Sequence, residues 1–483
     1  MKNKLAILFL LPITLAGCGS LSSSSSSSSS EVPVFEAYYQ APNQRLTYYD
    51  VSRAGEMDSL PAVGNVKLLV IPVIIEGYEE NATSEVHDSI QKVMFGQSSD
   101  TSWESVASYY YKSSYGKLSL NGEVTPWFAS GYSQSYMDNL ERRGNDSTSL
   151  LLDDAIDWVR DSQPNIDLSE YDNDNDGHLD AVWMIYSAPS QTSDVFWAFV
   201  YWNYRNQNNK STMNPTPFTY AWASYDFMYD GYGSNGIDAH TYIHETGHLL
   251  GLDDYYDYDG RSSPMGAIDM MDNNIIDHNG YSKFALGWTN PYIITGDADI
   301  QLQPASLSGQ SILLSADWNG NPFDEYLLLE LYTPDGLNEK DSLTPYPDNG
   351  RRGFTIPGVR MYHVDARLYD SSQNEYVDDL SSSNTYIGAS NSSSLSYLEK
   401  NSTRFKLLSL IDADKKVTYL SNPIAVAYDS SLFVTGDMFD FENYKTAFPF
   451  GTKNKMNDET TMPFSIEFSE VNSGFAQLKI RLM

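Results

Sequence analysis

The sequence predicts an α+β fold that passes into a β-rich, sandwich-like C-terminal region. Two observations lead there: strand-like and helix-like periodicities alternate between residues 66 and 296, and beyond 296 short apolar runs are separated by polar loops. A composition of 41% hydrophobic and 19% charged residues over 483 is globular and long enough for several domains. Residues 66–75 form an apolar run of strand length in which Pro72 suggests an edge or an interruption. Residues 103–112 read as a helix, and residues 117–122 begin a strand that runs toward Trp127. Apolar residues at 151, 152, 155, 156 and 159 make a helical stripe, and residues 179–186 are strand-like. Residues 238–250 read as a helix with Asp238 as N-cap and Gly251 at its end. Residues 311–316, 326–332, 359–364, 405–411 and 478–482 supply the later strands, and the Ser/Asn-rich residues 381–396 read as a loop.

Thirty Lys and Arg stand against 64 Asp and Glu, a formal net charge of −34. Such a surface repels phosphate backbones and anionic lipid head groups, which argues against a nucleic-acid binder or a polybasic membrane protein. One cysteine permits no internal disulfide and no multi-cysteine metal site. Lys2 and Lys4 precede an apolar run over 5–15, too short to span a bilayer. Leu15-Ala16-Gly17-Cys18 then resembles the bacterial lipoprotein cleavage box. That resemblance implies removal of residues 1–17 as a signal peptide and a diacylglycerol on Cys18. Residues 18–30, with serine from 22 to 30, read as a lipidated tether, and residues 31–65 as a linker or short pro-segment. The expected location is extracytoplasmic, lipid-anchored to the cell membrane or cell surface.

His244-Glu245-Thr246-Gly247-His248 is an HExxH motif. On a helix, positions i and i+4 share a face, so both imidazoles reach one ion. Neutral imidazoles suit Zn²⁺, which takes a third protein ligand and keeps a fourth position for water. Glu245 is placed to take that water's proton and deliver it to the leaving amine. Gly251 follows His248 by three residues and lets the chain turn, and Asp254 follows by three more as the third ligand. Asp253, Asp257 and His278 compete for that third position.

His244 to Asp257, HETGHLLGLDDYYD, resembles the zinc signature of the immune inhibitor A family of secreted bacterial metallopeptidases, with Asp253 where the family usually has proline. The runs 269–272, 277–279 and 281–288 resemble it too, as do 108–118 and 353–365. The resemblance implies a zincin-like, metzincin-like catalytic domain over residues 66–296, ahead of the β-rich region 297–483. It also implies a methionine turn beneath the zinc, with Met270 or Met271 as its floor. His278 is favoured as structural, and Tyr281, Tyr255 and Tyr256 are unranked as oxyanion donors.

Asp172, Asp174, Asp176 and Asp180 alternate with other residues around Gly177 in the manner of a calcium loop, with His178 contributing its backbone carbonyl. Trp183 at position twelve separates it from an EF-hand. The family carries a similar run, which raises the case for structural Ca²⁺. His363 and Asp365 share a strand face and read as buried structural residues. The aromatic run 196–202 reads first as packed chain and second as a cleft lining. The function expected is a surface-anchored zinc endopeptidase acting on proteins or peptides. The alternatives are a surface binding lipoprotein, an adhesin or solute-binding subunit, with a structural or absent metal, and a zinc hydrolase of another bond.

Overall fold

The computed structural model describes residues 38–43, 45–57, 59–191, 193–230, 236–380, 382–392 and 405–483, all within one compact unit that begins at Ala37. The signal peptide, Cys18 and the serine tether lie outside the described residues.

The long strand Gly64–Glu76 is buried along most of its length because it is apolar on both faces. It sits inside a sheet ordered Leu118–Val124, Gly64–Glu76, Val182–Tyr186, Thr219–Ser224 and Phe199–Trp202, with Phe128–Ser133 also paired to Gly64–Glu76. All pairings are parallel except that of Phe199–Trp202, which runs antiparallel at the sheet edge. Pro72 is therefore not on an edge strand. On one flank the partner changes from Leu118–Val124, which ends opposite Val70, to Phe128–Ser133, which begins opposite Val73. The proline falls in that gap, where a missing N–H breaks no ladder bond on that side.

Alternation along the strands gives this sheet two apolar faces. Leu69, Ile71, Val182 and Met184 pack with Leu152, Ile156 and Val159 of the helix Ser147–Ser162. Val70, Trp183 and Ala221 face the other way, toward Tyr242 and Ile243 of the helix His240–Leu249. That helix starts one residue after Ala239, which makes no side-chain cap bond. Asp238 lies one position further out, where its Oδ1 accepts the His240 N–H at 3.1 Å and pairs with the His240 ring. It satisfies a free helix donor without being the N-cap.

A second sheet runs Tyr38–Gln40, Tyr292–Ile294, Ile312–Leu314, Glu325–Tyr332, Gly358–Asp365 and Leu408–Leu410. Its buried strands serve two cores. Tyr326, Leu328 and Tyr332 join the core around the helix His240–Leu249, whereas Leu327, Leu329 and Leu331 face away. The latter meet Ile300, Phe468, Leu478 and Ile480 from a four-stranded sheet, Ala298–Leu302, Ala476–Leu482, Phe464–Val471 and Met438–Asp440. Two sheets facing across one apolar layer make the sandwich-like part. The stretch 381–396 is not all loop among its described residues, since Thr385–Ile387 pairs with Leu368–Asp370. His363 and Asp365 are buried in an ion cluster, His363 Nε2 lying 2.7 Å from Glu325 Oε1 and Asp365 gripping Arg367 through two bonds.

Candidate metal centre

The helix His240–Leu249 is held to the sheet by its polar side chains as well as its apolar ones. Tyr242 donates its hydroxyl to the Ser224 carbonyl at 2.6 Å, and Trp183 Nε1 donates to Thr246 Oγ1 at 3.2 Å. Tyr110 donates to the Ile243 carbonyl from outside the helix. After Leu250 the chain turns at Gly251, whose φ of +96° is left-handed and open to glycine. The turn brings residues 252–254 back across the helix end.

His244 Nε2 and His248 Nε2 lie 3.2 Å apart, and Asp254 Oδ1 lies 3.1 and 3.3 Å from them. The other ring nitrogens settle the tautomers. His244 Nδ1 is 2.8 Å from the Met270 carbonyl and His248 Nδ1 is 2.8 Å from the Leu252 carbonyl. A carbonyl only accepts, so each Nδ1 carries a hydrogen, and a ring that gives up its other proton to a metal presents the Nε2 lone pair; until then, against their burial, the Asp254 carboxylate favours the protonated rings. Three potential ligand atoms thus face one point. Ligands about 2.0–2.1 Å from a tetrahedral ion stand about 3.3 Å apart, so the observed spacings fit a zinc-sized cation. Glu245 is buried, only 5% exposed, and its Oε2 has no hydrogen-bond partner. Burial pushes its carboxyl above the usual range.

The helix Met270–Asn273 lies beneath this centre. Met270 supplies the carbonyl that orients His244, and a methyl at Gly247 would stand 2.6 Å from Met271 Sδ. Glycine there lets the methionine approach the helix backbone. The competing candidates turn elsewhere. Asp253 accepts the Asp254 N–H at 3.0 Å and takes the Ser390 hydroxyl. Asp257 holds Ser262 and Lys406. His278 is packed against Tyr109, Tyr110 and Trp288. Tyr281 is bonded to Tyr48 and Tyr255 to Ser282, both buried, while Tyr256 lines the cleft above the centre.

That cleft has a volume of about 1140 Å³ and is lined by His244, Glu245, His248 and Asp254. Trp197, Phe199 and Tyr201 line it as well, so the aromatic run does face the cleft. The helix Tyr48–Ala54 forms another wall, contributing Tyr48, Val51 and Ser52. Part of the segment 31–65 is therefore built into the site. Distant chain braces the loop that carries Asp254: Asn391 Nδ2 donates to the Tyr255 carbonyl, and buried Lys406 pairs with Asp257 at 3.3 Å. Tyr258 donates its hydroxyl to Asp254 Oδ2. Tyr258, Asn391 and Lys406 carry no local sequence signal, because their roles arise only when separate segments meet.

In the acidic loop, carboxylate oxygens of Asp172, Asp174 and Asp176 lie within 4.8 Å of one another. Backbone N–H groups of Asp176, Gly177 and His178 donate to these side chains at 2.8–3.0 Å, and Gly177, with φ +97°, makes the turn. Arg53 and Lys210 pair with the outer oxygens of Asp174 and Asp176. The His178 ring points away, its Nε2 3.0 Å from the Asn206 carbonyl. Asp180 is buried and accepts the Asn173 N–H at 2.6 Å.

Residues 76–277 match the family model of the immune inhibitor A peptidase M6 catalytic domain. Immune inhibitor A of Bacillus thuringiensis subsp. alesti is 26% identical over 208 residues, covering 35% of this chain and 28% of that protein. The chain thus spans less than a third of that relative's length. The matched segment contains both the acidic loop and the HExxHxxGxxD run.

Replacing Lys406 by Met strands the Asp257 carboxylate in the interior. The expected cost is roughly 3–5 kcal/mol, as for a broken buried pair, read as a lower urea midpoint of unfolding. An unchanged midpoint would show that the brace contributes nothing.

Proposed function

We propose that this protein is a zinc-dependent endopeptidase of zincin-like architecture that hydrolyses protein or peptide bonds. The observation that carries the reading is the meeting of three potential ligand atoms, from His244, His248 and Asp254, beside a buried carboxylate with an unpartnered oxygen. When bound, zinc supplies a Lewis acid that polarises the scissile carbonyl and acidifies water. His244, His248 and Asp254 hold it, and the Met270 and Leu252 carbonyls fix the two rings. Glu245 accepts a proton from the attacking water and returns it to the departing amide nitrogen. The outer edge of Phe199–Trp202 has no strand partner among the described residues, and its aromatic side chains line the cleft. An extended peptide added along that edge obtains backbone hydrogen bonds there and aromatic contacts for alternate side chains.

The acidic loop 172–180 is read as a structural calcium site through Asp172, Asp174, Asp176, Asp180 and the His178 carbonyl. Its inner carboxylates are preset by backbone N–H groups while Arg53 and Lys210 offset charge outside. Through Cys18 and the serine tether, the enzyme would be held outside the cytoplasm on a membrane surface.

Wild-type protein should bind one zinc and cleave denatured casein. Glu245→Gln should retain zinc yet lose roughly 10²–10⁴-fold in kcat; an unchanged rate sinks the mechanism. With zinc loaded, added calcium should raise the melting temperature, by about 2.7 kcal/mol of stability at 100 times Kd, and Asp174→Ala should shrink that gain. A melting curve indifferent to calcium argues against the loop site. In a bacterial host the full chain should partition with membranes and Cys18→Ser should not; equal partitioning refutes the anchor.

A further inference from the structure

The third donor of the metal centre is a carboxylate, and a carboxylate has two oxygens with which to bind. Here they are divided. Asp254 Oδ1 faces both imidazoles, at 3.1 and 3.3 Å, while Oδ2 accepts the hydroxyl of Tyr258. A phenol hydrogen bond to an ionised carboxylate is among the stronger kinds and is directional. It occupies the oxygen that would otherwise swing toward the ion and take a second coordination position.

Tyr258 is 51% exposed, so packing alone does not explain its aim. The turn that bears it does. Asp257, its neighbour, is fully buried on Lys406 and Ser262, and its Oδ1 and carbonyl accept the N–H groups of Asp259 and Gly260, both at 3.0 Å. The backbone on either side of Tyr258 is thereby fixed, and the Tyr256 ring, 5.2 Å away between centroids, limits its swing. We propose that Tyr258 is a positioning residue: by holding Asp254 Oδ2 it keeps Asp254 a one-oxygen ligand and leaves the fourth metal position open for water.

This rests on the zinc reading above, and its test separates the two. The full chain is stripped of metal and titrated with zinc against a chromophoric chelator, and with cobalt(II) as a spectroscopic stand-in. Wild type should bind one equivalent and give the intense visible absorption of four-coordinate cobalt. Tyr258→Phe should bind zinc about 10–100-fold more weakly, and its cobalt spectrum should fade toward the five-coordinate form as Asp254 becomes bidentate. Tyr136→Phe, which removes a half-exposed phenol outside the cleft, should match wild type in both. The metal-free melting temperatures should agree, showing that each variant folds. If wild type binds no metal, the zinc reading fails. If wild type binds it and Tyr258→Phe matches wild type, or if Tyr136→Phe behaves as Tyr258→Phe does, the assignment to Tyr258 is overturned.

Discussion

Two imidazole nitrogens and a carboxylate oxygen held within 3.3 Å of one another constitute an arrangement that a cation can occupy by displacing the protons the carboxylate holds on the rings. Each of these atoms has left water to stand where it does. The surrounding protein must therefore enforce the geometry. It does so with backbone carbonyls on both rings, a left-handed glycine at the helix end, and a loop pinned from the far side of the chain. The buried side chains around the helix His240–Leu249 can be understood as the frame for that one convergence.

The frame is assembled from segments far apart in sequence. Tyr48 comes from the N-terminal helix, Met270 and Met271 from the turn beneath the centre, and Asn391 and Lys406 from beyond residue 380. The region after residue 296 thus reaches the candidate metal centre through the loop it braces. Its second contribution is the sheet containing Glu325–Tyr332, whose one face completes the core around the metal helix.

How much of this was legible in the sequence depends on the range of the contacts. The HExxH spacing, the terminating glycine and the aspartate three residues later are local regularities of a helix and its exit, and the structure brings His244, His248 and Asp254 together. The acidic loop was legible for the same reason. Helix and strand positions along 64–186 followed from periodicity, with Pro72 misplaced because a partner change on one flank leaves no local trace. Asp238 was misread by one position because its carboxylate serves the helix end and the His240 ring together. The aromatic run 196–202 was ambiguous since a cleft wall and a packed strand ask for the same side chains. Tyr258 and Lys406 were illegible: each acts through a partner that only the tertiary fold supplies.

The strand Glu325–Tyr332 sends its even-numbered apolar side chains to one core and its odd-numbered ones to the other. Inserting or deleting a single residue there would exchange both sets at once, exporting tyrosines to the sandwich and leucines to the core around the helix His240–Leu249. Evolution can therefore edit the letters of this strand far more freely than their number, and a frame of fixed length ties the history of the C-terminal region to that of the metal helix.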